Sequence, residues 1–167
     1  MYTVIKGGIL IGLLCAMWTF VMGFTGWYKD PVMLNAFYVV ILIEIGVLIW
    51  GLKITAAGKT YGGQVAAGTL MAVIGGLILI GASLLFTTVV FPGYFDELRT
   101  VHAEMLRNAG TSEAEIAAEL ERGAQMQTTM MQAVVGFVGT VLTGVVGSLI
   151  MAVFIRKKQR VTTPATL

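Results

Sequence analysis

Four long apolar runs constrain this chain more than any motif in it. They lie at about 5–26, 31–52, 65–91 and 129–155. A helix rises about 1.5 Å per residue and the hydrocarbon layer of a bilayer is roughly 30 Å thick, so each run is long enough to cross once. The chain is 57% hydrophobic and 12% charged over 167 residues, more apolar surface than one small water-soluble core can bury. The expected fold is therefore all-α: a polytopic membrane protein of four transmembrane helices, forming a single membrane domain over 1–167 in a lipid bilayer.

Punctuation between the runs supports this division. Lys6 ahead of the first run resembles the start of a signal peptide, but no small-x-small cleavage site follows between Phe20 and Gly26, so the segment is expected to be retained. Trp27 and Tyr28 mark an interface, and Lys29-Asp30-Pro31 a short turn whose proline suits the opening of the next helix. Lys53 to Gln64 has the composition of a polar connection. The third run carries Gly75-Gly76, which predicts tilt or a kink, and ends at Pro92-Gly93 among Phe91, Tyr94 and Phe95.

Between 95 and 128 the composition changes. Leu98, Val101 and Met105 recur at helical spacing, which predicts a short amphipathic helix stopped by Asn108-Ala109-Gly110. Ser112 and Glu115 have capping-box spacing at the start of a second helix, with Ile116 and Leu120 on one face. That second helix is expected to be able to run unbroken into the last span. Arg156, Lys157, Lys158 and Arg160 close the span, and Val161 to Leu167 reads as a frayed tail.

Basic residues set the expected orientation. With both termini on one side, that side holds seven (Lys6, Lys53, Lys59, Arg156, Lys157, Lys158, Arg160) and the other four (Lys29, Arg99, Arg107, Arg122). The seven-residue side is expected to be cytoplasmic. The helical hairpin at 95–128 then lies outside, with seven acids against three arginines, 3 − 7 = −4.

One acid, Glu44, falls in the middle of a span, within Asn35 to Gly51. A charge at the bilayer centre costs about 2.5 to 3.5 kcal/mol on insertion scales, so this carboxyl is expected to face other helices. Counting along each span at about 1.5 Å per residue puts Thr143 and Thr140 nearest its depth, while Trp18, Thr19, Ser83, Thr87 and Thr88 lie further outward. Glu44, Thr140 and Thr143 form the candidate interior polar site. Both a register-fixing contact and a proton or cation relay are open to it.

Small residues let helices approach closely in lipid. The last span has two such rows: Gly136, Thr140, Gly144 and Ser148, and beside it Gly139, Thr143 and Gly147. Gly68, Ala72 and Gly76 on the third span and Gly8 and Gly12 on the first offer matching surfaces. Packing within the bundle and a subunit interface both use such rows.

Other chemistry finds little support. Cys15 is the only cysteine, so no internal disulfide can form. His102 with Glu104 makes a poor metal set, and Met126, Met130 and Met131 suit packing at a membrane edge better than a soft metal. No HExxH, CxxC or phosphate-binding GxxxxGK[ST] pattern occurs, and no basic aromatic surface suggests nucleic acid. The RKKQR run could attract anionic lipid. No cofactor and no small-molecule substrate are expected.

Four features coincide: the connection with Gly58 and Tyr61-Gly62-Gly63, the exit Phe91-Pro92-Gly93-Tyr94, the hairpin segment Gly110-Thr111-Ser112-Glu113-Ala114-Glu115-Ile116, and the glycine-rich last span ending Ser148-Leu149-Ile150 before a basic cluster. Together they resemble a bacterial family of four-span inner-membrane proteins known only as domain of unknown function number forty-one ninety-nine. The resemblance covers nearly the whole chain and implies a topology but no site. The expected function is that of a non-enzymatic integral membrane subunit or scaffold, a homo-oligomer or docked on other membrane subunits. The alternative is a small oligomeric channel or transporter using Glu44.

Overall fold

The computed structural model describes residues 1–155, so the basic cluster after Ile155 and the tail expected to fray lie outside the described residues. The described residues form six α-helices: α1 (Tyr2–Thr25), α2 (Val39–Thr55), α3 (Tyr61–Leu85), α4 (Tyr94–Asn108), α5 (Glu113–Ala124) and α6 (Thr129–Ile155). Four segments are long and apolar enough to cross a membrane: Tyr2–Thr25, Met33–Thr55, Tyr61–Val90 and Thr129–Ile155. Their outward faces carry large apolar side chains, Leu13, Leu42, Leu77 and Leu142 among them, each more than half exposed. Such a surface suits lipid, where backbone polar groups must be satisfied inside each helix.

Helix α3 is the central member, packed most extensively against α6 and α1, with α2 lying against α1 and α6. Glycines set the spacing. A Cβ on Gly8 or Gly12 of α1 would stand 2.6 Å from Ile74 or Ile78 of α3, and one on Gly75 would stand 2.7 Å from Ile11. These distances are shorter than packed carbons tolerate, so the isoleucines occupy the room the absent side chains leave. Met71 is fully buried, with its sulfur 2.8 Å from the Cβ positions of both Gly7 and Gly51, and so joins α1, α2 and α3. It belongs to a core with Val4, Ile11, Cys15, Leu48, Leu52 and Ala67.

The element ends show which local signals governed. Gly26 takes a left-handed φ of 71° after α1, the conformation glycine adopts without a Cβ penalty. Asp30, rather than Pro31, organises the next turn: its carboxylate accepts from the Val32 and Met33 amides at 2.8 and 3.1 Å, and a 3-10 segment over Met33–Tyr38 precedes α2. The polar connection expected over Lys53 to Gln64 is shorter, because α2 runs to Thr55 and the Thr60 hydroxyl accepts from Gly63 N at 3.2 Å to start α3 early. Gln64 then faces inward, fully buried. It accepts from the Thr55 hydroxyl at 3.2 Å and donates to the Leu52 carbonyl at 3.4 Å.

Helix α3 continues through Gly75 and Gly76, which serve as contact points for Ile11 and Phe137. The departure from α geometry comes later, in a wider π turn over Phe86–Val90. After Asn108, Gly110 at φ 83° completes a helix stop in which Thr111 N donates to the Leu106 carbonyl at 3.1 Å. The capping box at Ser112 and Glu115 is complete, and Ile116 is buried. One expectation fails. Helix α5 does not run into the last span, because it ends at Ala124 and the Thr128 hydroxyl accepts from Met131 N at 3.2 Å to begin α6 afresh.

Candidate functional site

Glu44 lies on the face of α2 that meets α3 and α6, and only 3% of it is exposed. The next inward residues at helical spacing, Leu48 and Leu52, are fully buried. Opposite the acid, α6 presents Gly144, whose Cβ position is 3.2 Å from Glu44 Oε1 and would overlap the Cβ of Ala72 on α3. The carboxyl therefore sits in a notch that a glycine and an alanine leave open. Glu44 Oε1 is buried with no hydrogen-bond partner among the described residues. In hydrocarbon such an oxygen is costly, more so if the group is ionised.

The two threonines of the candidate set lie nearby on α6. Thr140, one turn outward of Gly144, is almost fully buried, and Thr143 is half-buried. Neither donates a hydrogen bond to Glu44, so the helix nearest in depth supplies bare backbone rather than a hydroxyl. One turn inward of Gly144, Ser148 is fully buried, and its hydroxyl fills the place a Cβ on Gly68 would take. Ser148 Oγ is also unpartnered. Two oxygens unpaired among the described residues thus lie along the α3–α6 seam, one beside Gly144 and the other one turn along α6 at Ser148.

The small-residue rows divide by position. Gly144, Gly147 and Ser148 pack inside the bundle, Gly147 against Leu48 at 3.5 Å. Among the described residues nothing lies within 4 Å of the Cβ positions of Gly136 and Gly139. The α1 side of α2 is fixed by other donors: the Trp18 indole donates to the Ala36 carbonyl at 2.9 Å, and the Cys15 thiol to the Val40 carbonyl at 3.6 Å.

A second polar cluster joins the α1–α2 turn to α4. Tyr28 has the sequence position of an interfacial ring, yet it is 4% exposed, packed edge-on against Phe91 and tilted against Tyr94, and its hydroxyl donates to Glu97. Lys29 Nζ lies 3.0 Å from the same carboxylate. The Tyr28 hydroxyl, then Lys29, holds the Glu97 carboxyl below the usual carboxylate range, while burial and the Glu97 bond raise the Tyr28 phenol. A pairing across 69 positions leaves no periodic trace in the sequence. Thr87 in the π turn after α3 and Thr129 at the start of α6 meet at the same end, the Thr87 hydroxyl donating to that of Thr129 at 3.0 Å.

His102 and Glu104 lie on α4, half-buried and exposed respectively, and among the described residues no three His, Cys, Asp or Glu side chains converge as a metal set would. Met126 and Met130 are exposed and Met131 half-buried near the start of α6.

Four apolar helices around a buried interior acid define the class: a helical membrane protein built as a bundle. Residues 6–157 match the family described as Protein of unknown function (DUF4199), and the chain belongs to that family. No curated protein and no solved structure matches it closely enough to count as a relative.

Proposed function

We propose that this chain is a non-enzymatic integral membrane subunit or scaffold, associating with itself or docking on other membrane subunits. The observation that carries the reading is the seal around Glu44. An acid that is 3% exposed, covered by Gly144 and Ala72, is placed to fix helix register rather than to meet a solute. Gly136 and Gly139, with no neighbour within 4 Å, leave room on α6 for a helix from outside the bundle.

The setting proposed is a bacterial inner membrane with both termini in the cytoplasm, supported by the seven-to-four division of basic residues. Helices α4 and α5 then form an extracytoplasmic hairpin, joined by the Arg107–Glu113 pair at 2.6 Å, and offer an acidic surface to a partner. A cysteine at Gly139 tests the association. In native membranes it should crosslink to a second copy or to another subunit, while a cysteine at Gly144 inside the bundle should not. Absence of any Gly139 crosslink, with a monomeric mass in mild detergent, refutes the scaffold.

The unpaired Glu44 Oε1 favours a second reading, a small oligomeric channel or transporter that loads a proton or cation at this acid. Glu44→Gln separates the two. The scaffold keeps its assembly and shows no flux in proteoliposomes before or after the change. The transporter loses flux while keeping its assembly.

A further inference from the structure

A groove of about 610 Å³ runs along α3 beside α6, and Glu44 is not among the residues that line it. Gly62, Ala66, Thr69 and Val73 form its floor, at intervals of four, three and four residues that place them on one helical face. Tyr61 and Leu149 close it at the end beside the α2–α3 connection, where the Tyr61 hydroxyl donates to the Leu149 carbonyl at 3.1 Å. Gly62 and Ala66 are exposed, so the floor is open to whatever surrounds the bundle. From Tyr61 to Val73 the helix rises roughly 18 Å. That is close to the depth of one leaflet of a roughly 30 Å hydrocarbon layer.

Charge beside the α2–α3 connection, the end of the bundle where Tyr61 closes the groove, is of one sign. The stem of Lys59 lies against the first turn of α3, its Cβ and Cγ 3.7 and 3.9 Å from the Cβ position of Gly63. Lys53 lies at the end of α2 on the same side of the bundle. Between Glu44 and Asp96 the sequence contains no acid, nor does it before Asp30. Among the described residues, that end of the bundle therefore has cations and no carboxylate to pair with them.

The geometry points to a phospholipid site, with one acyl chain lying in the groove and an anionic headgroup held at Lys59. An apolar trough of leaflet depth, ending at an unopposed cation, has the shape and polarity of such a lipid. A second copy docked symmetrically through the same trough would bring its own Lys59 to the same level, which like charges oppose.

The full chain, purified in mild detergent and exchanged against phosphatidylglycerol or phosphatidylcholine with identical chains, tests this by native mass spectrometry. One phosphatidylglycerol should be retained in preference to phosphatidylcholine. Lys59→Gln should lower that preference about fivefold, the worth of one basic residue at an anionic surface, without abolishing binding. Ala66→Phe should remove retention of both lipids, while Leu142→Phe, outside the groove, should leave it unchanged. Equal retention of the two lipids by the native chain, or full retention by Ala66→Phe, overturns the site. A lipid-free dimer that Ala66→Phe dissociates assigns the groove to a second copy and overturns it too.

Discussion

Replacing Gly144 by alanine tests the α3–α6 seam most directly. The added Cβ would overlap that of Ala72 and crowd Glu44 Oε1, which stands 3.2 Å from its position. The Ala72 Cβ is fixed to its backbone and cannot swing aside, so the two helices must separate. Overpacking of this kind costs about 1–3 kcal/mol, and a rigid partner argues for the upper end. Alanine returns about 1 kcal/mol through its better helix propensity, which leaves a net loss of roughly 2 kcal/mol. At about 2–4 °C per kcal/mol for a chain of this size, thermal unfolding in mild detergent should occur roughly 4–8 °C lower. Gly81→Ala is the control, because nothing lies within 4 Å of that position and the same change there should be neutral or stabilising. Adding Ala72→Gly to Gly144→Ala removes the overlap and should recover most of the loss. If Gly144→Ala melts with Gly81→Ala, or if the double variant recovers nothing, the seam is not the close contact described.

Three further outcomes follow from other contacts. The Glu97 carboxyl is held low by Tyr28 and Lys29, so its contribution is present above the unfolded carboxyl range and is lost as pH falls through the folded value; hydrogen exchange in α4 should rise on acidification, and Tyr28→Phe should shift that rise to higher pH. Ser112→Ala removes the capping box of α5 and should cost about 1 kcal/mol, read as faster amide exchange over Glu113–Ile116 with α6 unchanged. Gln64→Leu removes the bonds that Gln64 makes with the Thr55 hydroxyl and the Leu52 carbonyl, while that hydroxyl keeps the Gly51 carbonyl at 3.0 Å, so stability should fall by about 1 kcal/mol in detergent unfolding; an unchanged midpoint would remove the role given to that glutamine.

The helices were legible because long apolar runs and end signals act locally. Ser112 and Glu115, three residues apart, specify a cap without reference to the rest of the chain. The break before α6 was missed because Thr128 resembles its polar neighbours until its hydroxyl is seen to accept from Met131 N. Glu44 could be singled out by its chemistry, and the residue set opposite it is Gly144, which neighbours the Thr143 that depth counting selects. Which residue faced it could not be read, since a rotation of one position exchanges Thr143 for Gly144. Gln64 reads as loop polarity until Thr60 moves the start of α3 ahead of it. Tyr28 reads as an interfacial ring because its partner, Glu97, is distant in sequence.

The position of α3 has a consequence for how the chain can be assembled. Its contacts with α1 and α2 involve only residues made before α4, so a three-helix unit can form while the remainder is still being synthesised. The glycine and alanine edge of α3, at Gly68, Ala72 and Gly76, would then stay uncovered until α6 arrives with Ser148, Gly144 and Phe137. The last helix to be inserted is thus the one that shuts Glu44 away from the lipid. A chain halted before that step would leave its acid facing the membrane, a defect that quality-control machinery could recognise.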